Sequence, residues 1–358
     1  MTTDPVAWDL AEKVAARVGG TEPLAKSYHY DSLQPDFDDA TQQAERLVEE
    51  VTGLRSLAGP ARARVTDRAG WVSANVASFQ RLLKPVLDKI GPRMSASPAA
   101  PVTRAVAGVQ LGTMLGWMST RVLGQYDLLL VEGEDTEDQD LVYYVGPNVL
   151  AIEKRFGFPP KEFRLWLALH EVTHRMQFTA VPWMRPHFIG LVEQTLGSID
   201  PDPSRFLDAL RRAVDQVRAG RNPLDDGGIV ALLAGEEQHA ALQRVQGMMS
   251  LLEGHGDVTM NRAGKGLVPN ADRFHRTLHQ RRNEVTGAAK LLQKLLGLDA
   301  KMKQYEQGER FIAEVEAVGG PALFDRIWEG PENLPDLREI REPQRWIERV
   351  RPRQVAAQ

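Results

Sequence analysis

The chain has 358 residues, of which 42% are hydrophobic and 26% are charged, and it contains no cysteine. This composition excludes a disordered or fibrous protein, and the lack of cysteine excludes disulfide scaffolds, thiolate nucleophiles and cysteine-ligated metal sites. The net charge is −4, from 44 Lys and Arg against 48 Asp and Glu. This balance argues against a large surface for nucleic acid or anionic membrane. Because the chain has no cysteine, any metal must be bound by histidine and carboxylate side chains.

The N-terminal segment does not have the pattern of a secretory signal. Asp4, Asp9 and Glu12 stand where such a signal has a basic end followed by an apolar run. The most hydrophobic stretch, residues 105–120, is shorter than the about 20 residues that a bilayer requires. We therefore expect a cytoplasmic protein with neither membrane nor nucleic-acid partners.

Apolar residues three and four positions apart predict that most of the chain is helical. In chain order, the sequence predicts a helix over 5–18, a loop through Asp39, helices over 39–54 and 70–91, a loop over 93–103 and a helix over 105–120. The pair Gly91-Pro92 is expected to end the third helix. On the fourth helix a stripe of small residues recurs every four positions and predicts close contact with another helix: Gly108, Gly112 and Gly116.

Two short apolar segments interrupt the helical pattern. Residues 125–133 and 140–150 are rich in Leu, Val and Tyr, and an acidic turn separates them. These features predict a β-hairpin. Beyond it the pattern is helical to the end, so the predicted fold class is mainly α, a helical domain with one small hairpin before the helix described next.

The pentapeptide His170-Glu171-Val172-Thr173-His174 lies on a predicted helix that starts at Pro159-Pro160 and stops before Pro182. Residues four apart on a helix project from the same face, so both imidazoles can reach one ion. Glu171, beside the first histidine, can reach a water bound to that ion. This is the His-Glu-x-x-His arrangement of zinc peptidases, with two Zn²⁺ ligands and a general base.

A catalytic zinc takes three protein ligands. The next histidine, His187, lies beyond Pro182, so the sequence predicts an acidic third ligand on a later helix. The candidates are Glu193, Glu236, Glu237 and Glu253. We rank Glu253 first because Asp257 follows it by one helical turn and could accept the free N–H of a ligand imidazole.

A hydrolase also needs a donor for the developing oxyanion. Possible donors are His255, His275, His279, Arg282 and Tyr305, although a packing or solvent-exposed role is expected for each. His275 and His279 are four apart and could be read as a second metal pair. The arginine-rich helix around them would repel a cation, which argues against that reading.

Several motifs together resemble a known family. The segments HEVTHRMQF, VPW, SLLEGHGDVTMNRAG, LLGLDAKMKQYEQGERFIAEV and LPDLREIREPQRWIERV resemble bacterial, largely actinobacterial, zincin-like metallopeptidases. One branch of that family is named for its genomic association with biosynthesis of a deazaflavin coenzyme. The resemblance, extended to gluzincins, implies His170, His174 and Glu253 as ligands and Glu171 as base. It also implies a substrate-binding edge strand before the active-site helix.

The leading hypothesis is a zinc-dependent hydrolase, a gluzincin-type peptidase that binds one Zn²⁺ and acts on a peptide or small amide. The alternatives are a helical scaffold protein with a structural or vestigial zinc site, and a zinc amide hydrolase for a small metabolite. We expect residues 1–100 to pack as a helical wall on a catalytic region over 101–358, in one continuous unit. The sequence leaves the substrate and the oligomeric state open.

Overall fold

A computed structural model describes residues 4–95, 98–128, 140–197, 236–283 and 298–351. Its α-helices are α1 Trp8–Gly19, α2 Tyr28–Asp31, α3 Leu33–Thr52, α4 Arg68–Ser95, α5 Ala100–Ser119, α6 Gly146–Phe156, α7 Pro160–Thr179, α8 Met184–Gly197, α9 Glu236–Ala263, α10 Ala271–Asn283, α11 Leu298–Phe324, α12 Leu337–Arg341 and α13 Pro343–Val350. Its strands are β1 Arg62–Thr66, β2 Gly124–Tyr126 and β3 Leu141–Val145. The predicted fold class, mainly α with a small β element, is confirmed.

The chain divides into two compact units. The first contains Met1–Ala180 and Thr259–Thr277, and the second contains Val181–Val258 and Leu278–Gln358. Residue 100, where we expected the N-terminal helical wall to end, lies inside the first unit, and the role of residues 1–100 as a wall of the catalytic region stays a prediction. Helix α9 runs without interruption through the division at Val258 and Thr259.

The first unit contains a three-stranded sheet in the order β1-β3-β2. Strands β2 and β3 pair antiparallel, with Gly124 opposite Tyr144, as expected for the two strands of a hairpin. Residues 129–139, which include most of the predicted first strand and its acidic turn, lie outside the described residues. Strand β1 adds a parallel partner to β3 that the sequence pattern did not predict, because its residues, RARVT, are too polar to give an apolar run. Gln34 of α3 covers the outer edge of β1: its amide donates to the carbonyl of Ala63 (3.0 Å) and accepts from the N–H of Val65 (2.8 Å).

The predicted second strand is too long. It ends at Val145, and the rest of the segment forms the start of α6 with Pro147 in its first turn. Val149, Leu150 and Ile152 of α6 are all buried. A short apolar run that is buried on all sides has no periodicity that separates strand from helix, which explains the error.

Two predicted loop boundaries are also wrong. The last part of the expected loop through Asp39, residues 33–39, is helical, because α3 begins at Leu33. Pro35 lies in its first turn, where a missing N–H is tolerated, and Phe37 is fully buried. Helix α4 continues to Ser95 rather than ending at Gly91-Pro92. It extends less than one turn beyond Pro92, so the proline removes one i→i−4 hydrogen bond in the last turn, and little helix follows it.

The small-residue stripe of α5 packs against α1, as the spacing predicts. A Cβ atom on any of the three glycines would lie closer than 3.0 Å to a carbonyl oxygen of α1 or of its N-cap residue Ala7; the pairs are Gly108 with Ala7, Gly112 with Ala11 and Gly116 with Ala15. The glycines therefore allow the two backbones to touch. Across the described ranges, no helix has both the length and the apolarity needed to cross a membrane.

The second unit has its own apolar core. Its buried members include Leu251 of α9, Phe311, Ile312 and Val315 of α11, and Ile340, Trp346 and Ile347 of α12 and α13. Helices α9 and α11 touch at two glycines, since a Cβ on Gly254 would lie 2.6 Å from the Cα of Gly308. A capping box between Asp336 and Glu339 starts α12.

Candidate metal centre

Helix α7 carries the His-Glu-x-x-His motif and has the bounds that its flanking prolines predict, Pro160–Thr179. Most of this helix is buried, whereas His170 and His174 are half-buried. Their Nε2 atoms lie 3.2 Å apart and their rings meet edge to face at 86°. The two imidazoles are therefore close enough to share one cation.

A carboxylate completes a possible ligand set. His170, His174 and Glu253 each offer one ligand atom, and these three atoms all lie within 4.8 Å of one another. Glu253 is on α9 and is only 5% exposed. Two imidazole nitrogens and one carboxylate oxygen match the donor set of catalytic zinc, so the residues fit such an ion.

The other candidates for the third ligand differ in their surroundings. Glu193 is exposed on α8 and is not a member of this ligand group. Glu236 and Glu237 lie at the start of α9, and their side chains are outside the described residues. Asp257 is buried one turn after Glu253, and its role as a partner of a ligand imidazole stays a prediction.

The possible oxyanion donors are only partly described. His255 is buried, stacks on Phe324 with ring centroids 5.6 Å apart, and meets Trp328 edge to face. Its ring therefore packs within the second unit, and its role as an oxyanion donor stays a prediction. His275 is exposed on α10. The side chains of His279, Arg282 and Tyr305 lie outside the described residues, so their roles, and the second metal pair, stay untested.

The second histidine of the motif makes a polar contact that the sequence pattern did not predict. The Nδ1 atom of His174 lies 3.0 Å from Oε1 of Gln177, one turn further along α7. Gln177 is fully buried. With Oε1 as the acceptor, Nδ1 carries the proton and Nε2 keeps its lone pair for a metal. The available signal was a polar residue three positions after a ligand on an otherwise apolar helix face.

Glu171 lies against the sheet of the first unit and is 9% exposed. An added Cβ at Gly124 of β2 would lie 2.7 Å from its Cγ and 2.9 Å from its Oε1. Burial raises the pKa of Tyr144, which faces Gly124 across the sheet, and the charges of Glu171 and Asp38 raise it further. The Tyr144 hydroxyl is therefore neutral, and it shares a 2.9 Å hydrogen bond with Thr41.

Two buried ion pairs hold α7 on either side of the motif. Arg164 makes two hydrogen bonds to Glu153, at 2.8 and 2.9 Å, and also contacts Asp36. Arg175, which is fully buried, donates to Asp140 at 2.6 Å and to Glu45 at 2.8 Å. The sequence shows that this apolar helix carries Arg164 and Arg175. It does not show their partners, because these lie on other elements.

A solved structure is similar to this chain over nearly its whole length. A crystal structure of a candidate hydrolase with a novel fold from Chloroflexus aurantiacus is 31% identical to this chain, with a TM-score of 0.70, and the match covers 96% of this chain and 98% of that one. No curated protein matches the chain. The sequence model of zincin-like metallopeptidases matches residues 6–347. The chain therefore belongs to the family of zincin-like metallopeptidases.

Proposed function

We propose that the protein is a zinc-dependent peptidase of the gluzincin type. Family membership and the structural neighbour support a metal-dependent hydrolase. The observation that carries the proposal is the His170, His174 and Glu253 donor set. Zinc is preferred because imidazole and carboxylate are the ligands of zinc peptidases with a His-Glu-x-x-His helix.

A zinc ion bound there would polarise a scissile carbonyl and lower the pKa of a coordinated water to about 7. Glu171 is the base in this proposal. Its carboxylate accepts a proton from the attacking water and passes it to the nitrogen of the leaving amine. The hydrogen bond from His174 Nδ1 to Gln177 Oε1 would favour the tautomer whose Nε2 lone pair is available to the metal.

The outer edge of β2 supports an extended peptide as substrate. In the antiparallel pair, Leu123 and Asp127 are hydrogen-bonded to β3 through their backbones. The alternation of such pairs makes the N–H and C=O groups of Gly124 and Tyr126 point away from β3. An extended peptide can pair with these groups as an added strand. Because Glu171 contacts the same strand, its carboxylate would lie beside the peptide backbone.

A small amide metabolite is the alternative substrate class, and membership of the deazaflavin-associated branch would favour it. That membership rests on the sequence motifs, and the cytoplasmic location, which we also propose, rests on the N-terminal sequence pattern. A structural zinc site in a scaffold protein would need no base beside the ligands, so the position of Glu171 favours catalysis.

The test combines metal analysis with a substrate screen. Purified full-length protein is expected to bind one zinc per chain, and to cleave members of a mixed peptide library followed by mass spectrometry. Glu171→Gln should retain the zinc and lose about 10²- to 10⁴-fold in rate, because it removes the base and no ligand. His170→Ala and Glu253→Ala should lose the zinc.

Glu193→Gln is the matched control, since Glu193 is exposed and stands outside the ligand group. It should keep both metal and activity. Full zinc content in Glu253→Ala would refute the third ligand. Turnover that survives Glu171→Gln would refute the base, and turnover of small amides alone would exclude a peptidase.

A further inference from the structure

Gly124 is the first residue of the edge strand β2, and its missing side chain leaves space that Glu171 occupies. A Cβ atom at Gly124 would lie 2.7 Å from Cγ, 2.9 Å from Oε1 and 3.0 Å from Cδ of Glu171. Real Cβ atoms do not approach other heavy atoms this closely, so an alanine would force one of the two residues to move.

Position 124 requires glycine because there is no space for a side chain. Gly124 does not have the positive φ that would favour glycine, so other residues could adopt its backbone conformation. Its pairing with Tyr144 is regular. The position thus differs from Gly53 and Gly157, whose left-handed φ angles follow helix ends.

Moving only the carboxylate group of Glu171 would not remove the clash with a Cβ at Gly124. The nearest atom is Cγ, whose position is set by the first side-chain rotation, and Glu171 is 9% exposed on a helix held by buried ion pairs. A Cβ at Gly124 would therefore require a different rotamer of Glu171 or a shift of β2 relative to α7. Either change moves the carboxylate away from its present place on the strand.

We propose that Gly124 is a positioning residue that lets the carboxylate of Glu171 lie in contact with the backbone of the edge strand. This inference rests on the proposed function, in which Glu171 is the base and β2 binds the substrate. It explains why a glycine follows Leu123 at the start of β2. With no side chain at this position, the carboxylate of Glu171 can lie directly on the strand with which the substrate backbone would pair.

The first test is a stability cycle that needs neither substrate nor turnover. Gly124→Ala should lower the Tm of the full-length protein by about 2–10 °C, as overpacking does. The same substitution should lower the Tm equally in a Glu171→Gln background, because glutamine keeps Cγ. In a Glu171→Ala background it should leave the Tm unchanged or raise it by about 1–3 °C, because the clashing atoms are gone.

Gly190→Ala is the matched control. Gly190 lies on α8 with no atom within 4 Å of an added Cβ, so this variant should lose neither stability nor activity. Equal Tm changes from Gly124→Ala in the wild-type and Glu171→Ala backgrounds would overturn the inference. If Gly124→Ala does not fold, recovery of folding in Gly124→Ala/Glu171→Ala supports the inference, and failure of the double variant overturns it.

The second test separates positioning from folding. With the fluorogenic peptide that the wild type cleaves fastest, Gly124→Ala should lose about 100-fold in kcat at unchanged zinc content and with KM within about twofold. An unchanged kcat would overturn the positioning role. If the wild type cleaves no peptide, the proposed function fails, whereas the stability cycle still decides whether Gly124 and Glu171 are coupled.

Discussion

Replacing Gln177 by alanine should weaken zinc binding without unfolding the protein. Gln177 is fully buried, and its Oε1 lies 3.0 Å from Nδ1 of His174. When Nε2 of that ring binds a metal, the proton must stay on Nδ1, so the amide oxygen is an acceptor for the metal-binding tautomer. The metal-bound ring can adopt no other tautomer, so Gln177→Ala leaves its Nδ1–H without this acceptor.

The size of the effect follows from the burial of the pair. Removing one partner of a buried hydrogen bond costs about 1–3 kcal/mol. Since about 1.4 kcal/mol is a factor of ten, the zinc Kd should rise by about 10- to 100-fold, the range seen when such supporting residues are replaced. The loss should concern metal affinity more than folding, because the unbound ring can change its tautomer.

The assay is a competition between the full-length protein and a chromogenic chelator for zinc. Gln177→Glu should bind zinc at least as tightly as the wild type, since it keeps an oxygen acceptor and adds negative charge near the site. Gln344→Ala, on the exposed face of α13, is the control and should leave the Kd unchanged. A Kd for Gln177→Ala within about twofold of the wild type would refute the assigned role.

The remaining predictions concern stability. Arg175→Met should destabilise the protein by about 3–5 kcal/mol in urea unfolding, because it leaves the buried carboxylate of Asp140 and the half-buried carboxylate of Glu45 without their arginine; a loss below about 1 kcal/mol would contradict this. Gly112→Ala should cost about 1–3 kcal/mol by separating α5 from α1, whereas Gly190→Ala should not; equal effects would show that the stripe is unimportant. Burial, with a smaller effect of Arg244, lowers the pKa of His187 below its ordinary value, so its contribution to stability is present above the unfolded pKa and is lost as the pH falls through the folded pKa. His187→Gln should therefore lose less stability between pH 7 and 5 than the wild type, and identical pH profiles would contradict the assignment.

Local patterns predicted the parts of the site that lie on one element. The bounds of α7 follow from its flanking prolines, and the facing imidazoles follow from a four-residue spacing. Glu253 was ranked first for a local reason as well, a carboxylate one turn further along α9. Its membership in the ligand group supports that ranking without testing the ligands directly.

The parts that could not be predicted depend on where two distant elements meet. The partners of Arg175 come from α3 and from the residue before β3, and the contact of Gly124 with Glu171 depends on how β2 lies on α7. Strand β1 is another such case, since a polar segment becomes a strand only through pairing with β3. Sequence periodicity describes one element at a time and carries no information about contacts between distant elements.

The anchoring of α7 bears on whether its metal is structural or catalytic. A structural zinc site contributes much of the folding energy, and such domains unfold when the metal is removed. Here Arg164 and Arg175 fix the helix to carboxylates on other elements, one before and one after the histidine pair. The ligands on α7 are therefore positioned by contacts that do not involve the metal. Chelation should leave the far-UV circular dichroism and cooperative unfolding intact, with a Tm lower only by the amount that lost zinc binding predicts. Loss of helical signal on chelation would favour the scaffold alternative.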